Sequence, residues 1–250
     1  MSEVLLIVAG LFLPLFPLSM VFNEVFDRIQ AQKLRIALLF IWPQIGLVIA
    51  AIANVDIPGW IIAWALFTSL LYGFRAVALR EVKLWTSFFA TSSWAILWVI
   101  LDSGYFQLVF YALAFSAPLA LLILLCGELE KRFGAAYTDL YGGLAETVPR
   151  LSGVLVFVVL AVIATPLFPN FTAMLAAITT ASATSFVSAA TVACIWLIWS
   201  WAGARLLQGL IVGPAHEEKA SDLDKNCTWV YVAILSVLVI SGIYSIGGLA

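Results

Sequence analysis

Apolar residues run through this chain in long blocks separated by short polar turns. Residues 4–22 form the first block, with Pro14 and Pro17 inside it; membrane helices tolerate such prolines when neighbours satisfy the freed carbonyls. A polar turn with Glu24, Asp27, Arg28 and Lys33 follows. Further blocks occupy about 36–53, 58–72, 84–101, 106–125 and 151–167. Residues 171–212 are apolar for long enough to cross twice around a tight turn, and 228–246 closes the chain. Each crossing needs about 20 apolar residues. None of the blocks alternates with the period of two that a barrel strand requires. The pattern therefore predicts an all-α, polytopic transmembrane helix bundle of about nine helices.

The basic residues are not spread evenly between these blocks. Turns after the first, third and fifth hold Arg28, Lys33 and Arg35, then Arg75, Arg80 and Lys83, then Lys131, Arg132 and Arg150. Turns after the second, fourth and sixth hold none. Positive turns stay on the cytoplasmic side, which puts the N-terminus outside and the chain in the inner (cytoplasmic) membrane. The loop before the last block mixes Lys219 and Lys225 with Glu217, Glu218, Asp222 and Asp224 and adds little to this vote. The opening Met-Ser-Glu-Val has an acid where a secretory signal carries basic residues, so the first helix is expected to stay as an anchor.

Composition agrees: 64% of residues are hydrophobic and 10% charged, against about 45–50% and about 25% in a soluble domain. A net charge of −2 with no basic patch gives nucleic acid nothing to bind. Cys126, Cys194 and Cys227 are far apart, and the lone His216 sits in a polar loop, so no metal site is expected. No nucleophile-and-base pair, phosphate-binding glycine loop or haem-type histidine pair is present. The chain reads as non-catalytic, with no cofactor of its own.

Residues 124–171, LLCGELEKRFGAAYTDLYGGLAETVPRLSGVLVFVVLAVIATPLFPNF, organise the rest. A helix ends in a charged turn, a Gly-Gly bend follows, and a second helix closes on Pro-x-x-Pro-Asn-Phe. Upstream, IIAWALFTSLLYGFRAVALREVKLW places Glu81 and Lys83 on an acid–aliphatic–Lys turn; downstream a helix ends WAGARLLQG. Together these resemble the antiporter-like membrane subunits of respiratory complex I, a family that also serves Mrp-type cation/proton antiporters and membrane-bound hydrogenases. The resemblance covers roughly residues 60–213 and implies the architecture of the second of that family's two inverted repeats. On this view the chain is one transmembrane domain. Residues 1–57 form two helices outside any family motif, 58–213 the antiporter-like part, and 214–250 a loop and last helix. The pattern also departs from the family. Thr172-Ala173-Met174-Leu175 stand where relatives place Gly-Glu-Phe, and Tyr111, Ser116 and Pro118 where a histidine is common. The first repeat, with its buried Glu and Lys, has no counterpart.

Ionisable groups at bilayer depth mark ion paths because burying them is expensive, roughly 2.5–3.5 kcal/mol each on insertion scales. No Asp, Glu, Lys or His falls in the middle of a block, and the candidates sit near block ends. Glu81 and Lys83 read either as a remnant of the family's relay lysine or as an interfacial pair that snorkels. Arg205 reads as a pathway residue, an interhelical salt bridge or an interface anchor. Glu128, Glu130, Lys131 and Arg132 suit a solvated turn or a subunit contact. Thr179, Thr180, Ser182, Thr184, Ser185 and Ser188 are candidate polar lining, or else small residues that allow close helix packing. Trp60 and Trp229 suit interfacial anchors, while Trp94 and Trp98 pack or face lipid.

The resemblance implies a membrane subunit of a multi-subunit, proton- or cation-coupled complex, assisting or bracing ion translocation. Its partners would be lipids, other membrane subunits including an antiporter-like paralogue, and a peripheral redox or zinc protein. Complex I-like assemblies, membrane hydrogenases, antiporters and proton-driven inorganic-carbon uptake systems all use such chains. The alternatives are a non-conducting structural subunit and an independent small transporter.

Overall fold

The computed structural model describes residues 2–54, 57–138, 142–213 and 220–247. His216, Glu217, Glu218 and Lys219 lie outside the described residues, as do Asp139, Leu140 and Tyr141 of the Gly-Gly turn. The described elements are helices: α1 (Ser2–Phe12), α2 (Ser19–Arg28), α3 (Gln32–Ala53), α4 (Gly59–Ala78), α5 (Val82–Ile96), α6 (Tyr105–Phe133), α7 (Leu144–Thr147), α8 (Pro149–Val162), α9 (Pro169–Thr184), α10 (Phe186–Ile211) and α11 (Lys225–Gly247). Helix α5 runs on as a 3-10 segment, Leu97–Ser103. Among them α3, α4, α5 with its 3-10 extension, α6, α10 and α11 are each long and apolar enough to cross a membrane. The chain is an all-α membrane helix bundle.

Two expected crossings are not single helices. The first block divides into α1 and α2, and the charged residues expected in a turn after it, Glu24, Asp27 and Arg28, are helical. The sixth ends at Val162, and 163–168 are irregular before α9 begins. Both breaks carry the same tetrapeptide, Pro-Leu-Phe-Pro, at 14–17 and 166–169. Proline has no N–H to donate, and its ring clashes with the carbonyl a turn back. The two copies fold differently. Phe16–Pro17 is cis in the first, whereas Ala164 and Leu167 take positive φ (57° and 96°) beside the second.

Each break frees backbone carbonyls that lipid cannot satisfy, at a cost of several kcal/mol apiece. Indole N–H groups meet them. At the first break Trp42 donates to Leu11 O (3.2 Å), Trp98 to Leu13 O (2.9 Å) and Trp64 to Phe16 O (2.5 Å). The Phe16 N–H donates to Thr68 Oγ1 at 3.0 Å. At the second, Trp196 donates to Ile163 O (3.2 Å) and buried Asn170 to Ala161 O and Val162 O (2.5 and 3.2 Å). Trp94 and Trp98, expected to pack or face lipid, are fully buried, and Trp98 also has this polar task. A glycine lets a neighbouring helix close on each break. A Cβ on Gly46 of α3 would stand 2.8 Å from Leu13 N, and one on Gly242 of α11 would overlap the Leu167 carbonyl.

Helices α5 and α6 form the centre: 89% and 72% of their apolar lengths are buried, against 28%, 28% and 22% for α3, α10 and α11, whose outer faces are open. Helix α5 packs on α2, α4 and α6, while α6 packs on α3, α8 and α9. The basic turns converge on one rim. Linker residues 80–82 pair with 136–138 through Val82 N to Ala136 O (3.0 Å) and Thr138 N to Arg80 O (2.8 Å), a β-bridge centred on Glu81 and Tyr137. Gln32 of α3 donates to Ile123 O of α6 at 2.8 Å. Arg132 of α6 reaches Ser221 O at 2.8 Å. Asp222 accepts from the Arg150 and Leu151 N–H groups (3.0 and 3.2 Å), which ties the loop before α11 to the start of α8.

Candidate functional site

Four-residue spacing places Ser19, Asn23 and Asp27 on one face of α2, and Lys83, Ser87 and Thr91 on one face of α5. These faces pack antiparallel, because Asp27 meets Lys83 while Asn23, a turn earlier, meets Thr91. Lys83 Nζ is 2.7 Å from Asp27 Oδ1 and 3.5 Å from Glu81 Oε1. Its side chain is 16% exposed, against 55% for Asp27 and 29% for Glu81. The lysine thus turns inward from two carboxylates that still reach solvent. Glu81 also accepts a hydrogen bond from Tyr137, whose phenol is raised above its ordinary value chiefly by the charge on Glu81. Arg35, buried beside the group, caps the end of α2 by donating to Ile29 O at 2.6 Å.

Inward from this cluster the seam is neutral and polar. Thr91 Oγ1 lies 3.3 Å from Asn23 Oδ1 and 3.0 Å from Ser87 O, so its single proton serves one or the other. Asn23 donates to Ser19 O (3.1 Å), and Ser19 Oγ donates to Tyr72 OH of α4 (2.9 Å). One turn along α4, Ser69 and Ser92 lie 3.1 Å apart, and Trp199 of α10 donates to Ser92 Oγ at 2.8 Å. Ser19, Asn23, Ser69, Tyr72, Thr91 and Ser92 are all buried.

Of the residues singled out from sequence, Glu81 and Lys83 come together here. Arg205 does not join them. It is exposed on α10 and lines a separate cavity with Arg80. Thr179, Ser182, Thr184 and Ser185 are exposed along the α9–α10 elbow, and Thr180 and Ser188 half-buried. Thr179, Ser182 and Thr184 donate to carbonyls of α9 itself (2.7–3.0 Å), and Ser185 accepts from Val187 N as the cap of α10. Glu128 pairs with Lys131 (2.8 Å) and Arg132 (2.6 Å) on the last turns of α6. Cys126 is buried with Sγ 3.6 Å from Glu130 Oε1. Among the described residues no group of three His, Cys, Asp or Glu side chains stands close enough to hold a metal.

Sequence reading missed Asp27, Asn23 and Tyr72. The signal available was the repeated four-residue polar spacing, obscured because 19–28 lies across the end of an apolar block.

No family model matches the chain, and no curated protein matches it either. Solved structures do. A chain of respiratory complex I from Thermus thermophilus superposes with a TM-score of 0.83 at 19% identity, over 98% of this chain and 54% of that one. A chain of the membrane-bound sulfane sulfur reductase, an archaeal respiratory membrane complex, gives 0.82 at 18%, over 96% and 51%. One from the Mrp complex of Dietzia sp. DQ12-45-1b gives 0.83 at 14%, over 98% and 56%. The chain therefore spans about half the length of the chains it matches. It has the membrane-bundle fold that the antiporter-like resemblance implied, and residues 1–57, which fitted no motif, belong to the superposed part.

Proposed function

We propose that the chain is a membrane subunit of a multi-subunit complex driven by, or driving, proton or cation movement. The observation that carries this reading is Lys83 held between Asp27 and Glu81 at the mouth of the buried polar seam. A lysine between two carboxylates fixes a positive charge at the mouth of the seam, where a change in the charge of either carboxylate is felt. Thr91, Ser19 and Tyr72 offer hydroxyls along which a proton path with intervening water can run. The fold shared with chains of complex I, the sulfane sulfur reductase and the Mrp complex supports a place among other membrane subunits. An antiporter-like paralogue completes the ion path, and a peripheral redox or zinc protein supplies the chemistry. A complex I-like assembly and a proton-driven inorganic-carbon uptake system both offer that setting. Convergence of the basic turns on one rim supports an inner-membrane orientation with that rim cytoplasmic and the N-terminus outside.

Purification of the tagged chain from its own membranes in mild detergent tests this. The expected result is a stoichiometric complex with a second membrane chain, and no proton flux from this chain alone in liposomes. A monodisperse chain that moves protons unaided would overturn it.

A second reading, a non-conducting brace, is favoured by one observation: beyond Lys83 the seam is carried by amide and hydroxyl groups. It predicts that Lys83 can be neutralised without loss of coupling.

A further inference from the structure

Helix α3 packs on α1 and α6 and leaves its outer side open. Leu34, Ile41, Ile45, Val48 and Ile52 form that side, all exposed and recurring at spacings of seven, four and three. Beside this stripe, near the middle of the helix, stands Gln44. It precedes the end of α3 at Ala53 by nine residues, about 14 Å, and so lies well away from either rim. Its side chain is half-buried, and Nε2 is enclosed with no hydrogen-bond partner among the described residues.

An amide in hydrocarbon is costly unless something bonds to it. Acyl chains offer neither donor nor acceptor at that depth. Hydroxyl and amide side chains of a neighbouring helix offer both, and they bond across helices in membranes. The open sides of other helices are marked differently. Trp229 and Tyr244, both exposed, stand near the two ends of α11, about 22 Å apart along its axis. Exposed Trp60 opens α4. Such rings anchor a lipid-facing surface at the interfaces. Helices α1 and α3 carry no exposed Trp or Tyr among the described residues. The chains that share this fold carry nearly half of their length outside the shared part, so the fold occurs with further protein joined to it.

We propose that the outer side of α3 is the docking face for a transmembrane helix of another subunit, one that presents a hydroxyl or amide side chain to Gln44 at mid-bilayer depth. The inference rests on the multi-subunit reading above and adds which side of the bundle the neighbour takes. The aliphatic stripe supplies the packing. The single amide fixes the partner's depth and register, because a slip of one turn, about 5.4 Å, leaves both polar groups in hydrocarbon.

Photocrosslinking of the full chain in its own membranes tests this, with Ile45→p-benzoylphenylalanine on α3 and Ile240→p-benzoylphenylalanine on α11. The α3 probe is expected to capture the membrane chain that co-purifies with this one, and the α11 probe to capture lipid. Gln44→Leu is expected to weaken retention of that chain about threefold to tenfold, the scale of one interhelical hydrogen bond. The thermal midpoint of the isolated chain should not fall, since the variant removes an enclosed amide that has no partner there. Lipid alone on the α3 probe, or a second copy of this chain, would overturn the docking face even though the complex still purifies. So would retention indifferent to Gln44→Leu, or capture of the neighbour from α11 alone. Purification without any second membrane chain would sink the multi-subunit reading together with this inference.

Discussion

Lys83 of α5 meets Asp27 of α2 at 2.7 Å, closer than Glu81, two residues away in its own chain segment, at 3.5 Å. The tighter partner of the lysine comes from a different helix, so the pair joins α2 to α5 at the rim. Asp27→Asn and Lys83→Gln should each destabilise the bundle. A double-mutant cycle on thermal or denaturant unfolding in detergent should give a coupling of about 0.5–1 kcal/mol, the upper range of exposed pairs, since Asp27 is 55% exposed. Additive single effects would mean that the pair is not formed.

Tyr137 gives a pH-dependent counterpart. Its phenol is raised above the usual value because the Glu81 carboxylate faces it and accepts its proton in a hydrogen bond. A group raised on folding stabilises fully below its unfolded value, near pH 10 for tyrosine, and that contribution is lost as pH rises through the folded one. The stability advantage of the wild type over Tyr137→Phe should therefore hold at pH 8 and shrink above pH 10. In Glu81→Gln the advantage should be smaller throughout. Thermal midpoints of the wild type, Tyr137→Phe, Glu81→Gln and the double variant across pH 8–11 measure it.

At the first helix break, Trp98 donates to Leu13 O with its ring fully buried. Trp98→Phe keeps most of the apolar volume and leaves the carbonyl without that donor, so it should cost about 1–3 kcal/mol. Trp60→Phe, at a side chain 58% exposed, should cost much less. Equal unfolding midpoints for the two variants would contradict the role given to the buried indoles.

Gly242 marks where α11 rests on the second break. A Cβ there would overlap Leu167 O, a backbone atom that cannot rotate away. Gly242→Val should undock α11, costing about 1–3 kcal/mol as an overpacked contact and breaking the Thr172–Ser245 contact at 3.2 Å. A cysteine pair at positions 172 and 245 should crosslink in the parent and fail to do so in the Gly242→Val background.

Much of the fold was legible because bilayer length and the basic turns are written directly in the hydrophobic pattern. The block at 4–22 misled because a proline-bearing apolar run looks the same whether the helix bends or stops; the outcome depended on Trp42, Trp64 and Trp98, distant in sequence, supplying donors to its carbonyls. Lys83 and Glu81 were legible as a turn motif. Asp27 was not, because its partner is 56 positions away, and no local spacing announces a contact between α2 and α5. The hydroxyls at 179–188 drew attention by number, yet those whose bonds are described serve the backbone of α9 or cap α10.

Under the proposed function, Lys83, at the mouth of the polar seam, takes part in ion movement by a multi-subunit membrane complex. Lys83→Ala in the assembled complex, with proton-coupled activity followed in sealed vesicles, tests it most directly. The account predicts a complex of normal composition with coupling largely lost, and partial rescue by Lys83→Arg. Full coupling in a fully assembled Lys83→Ala complex would contradict it and leave the chain as a brace.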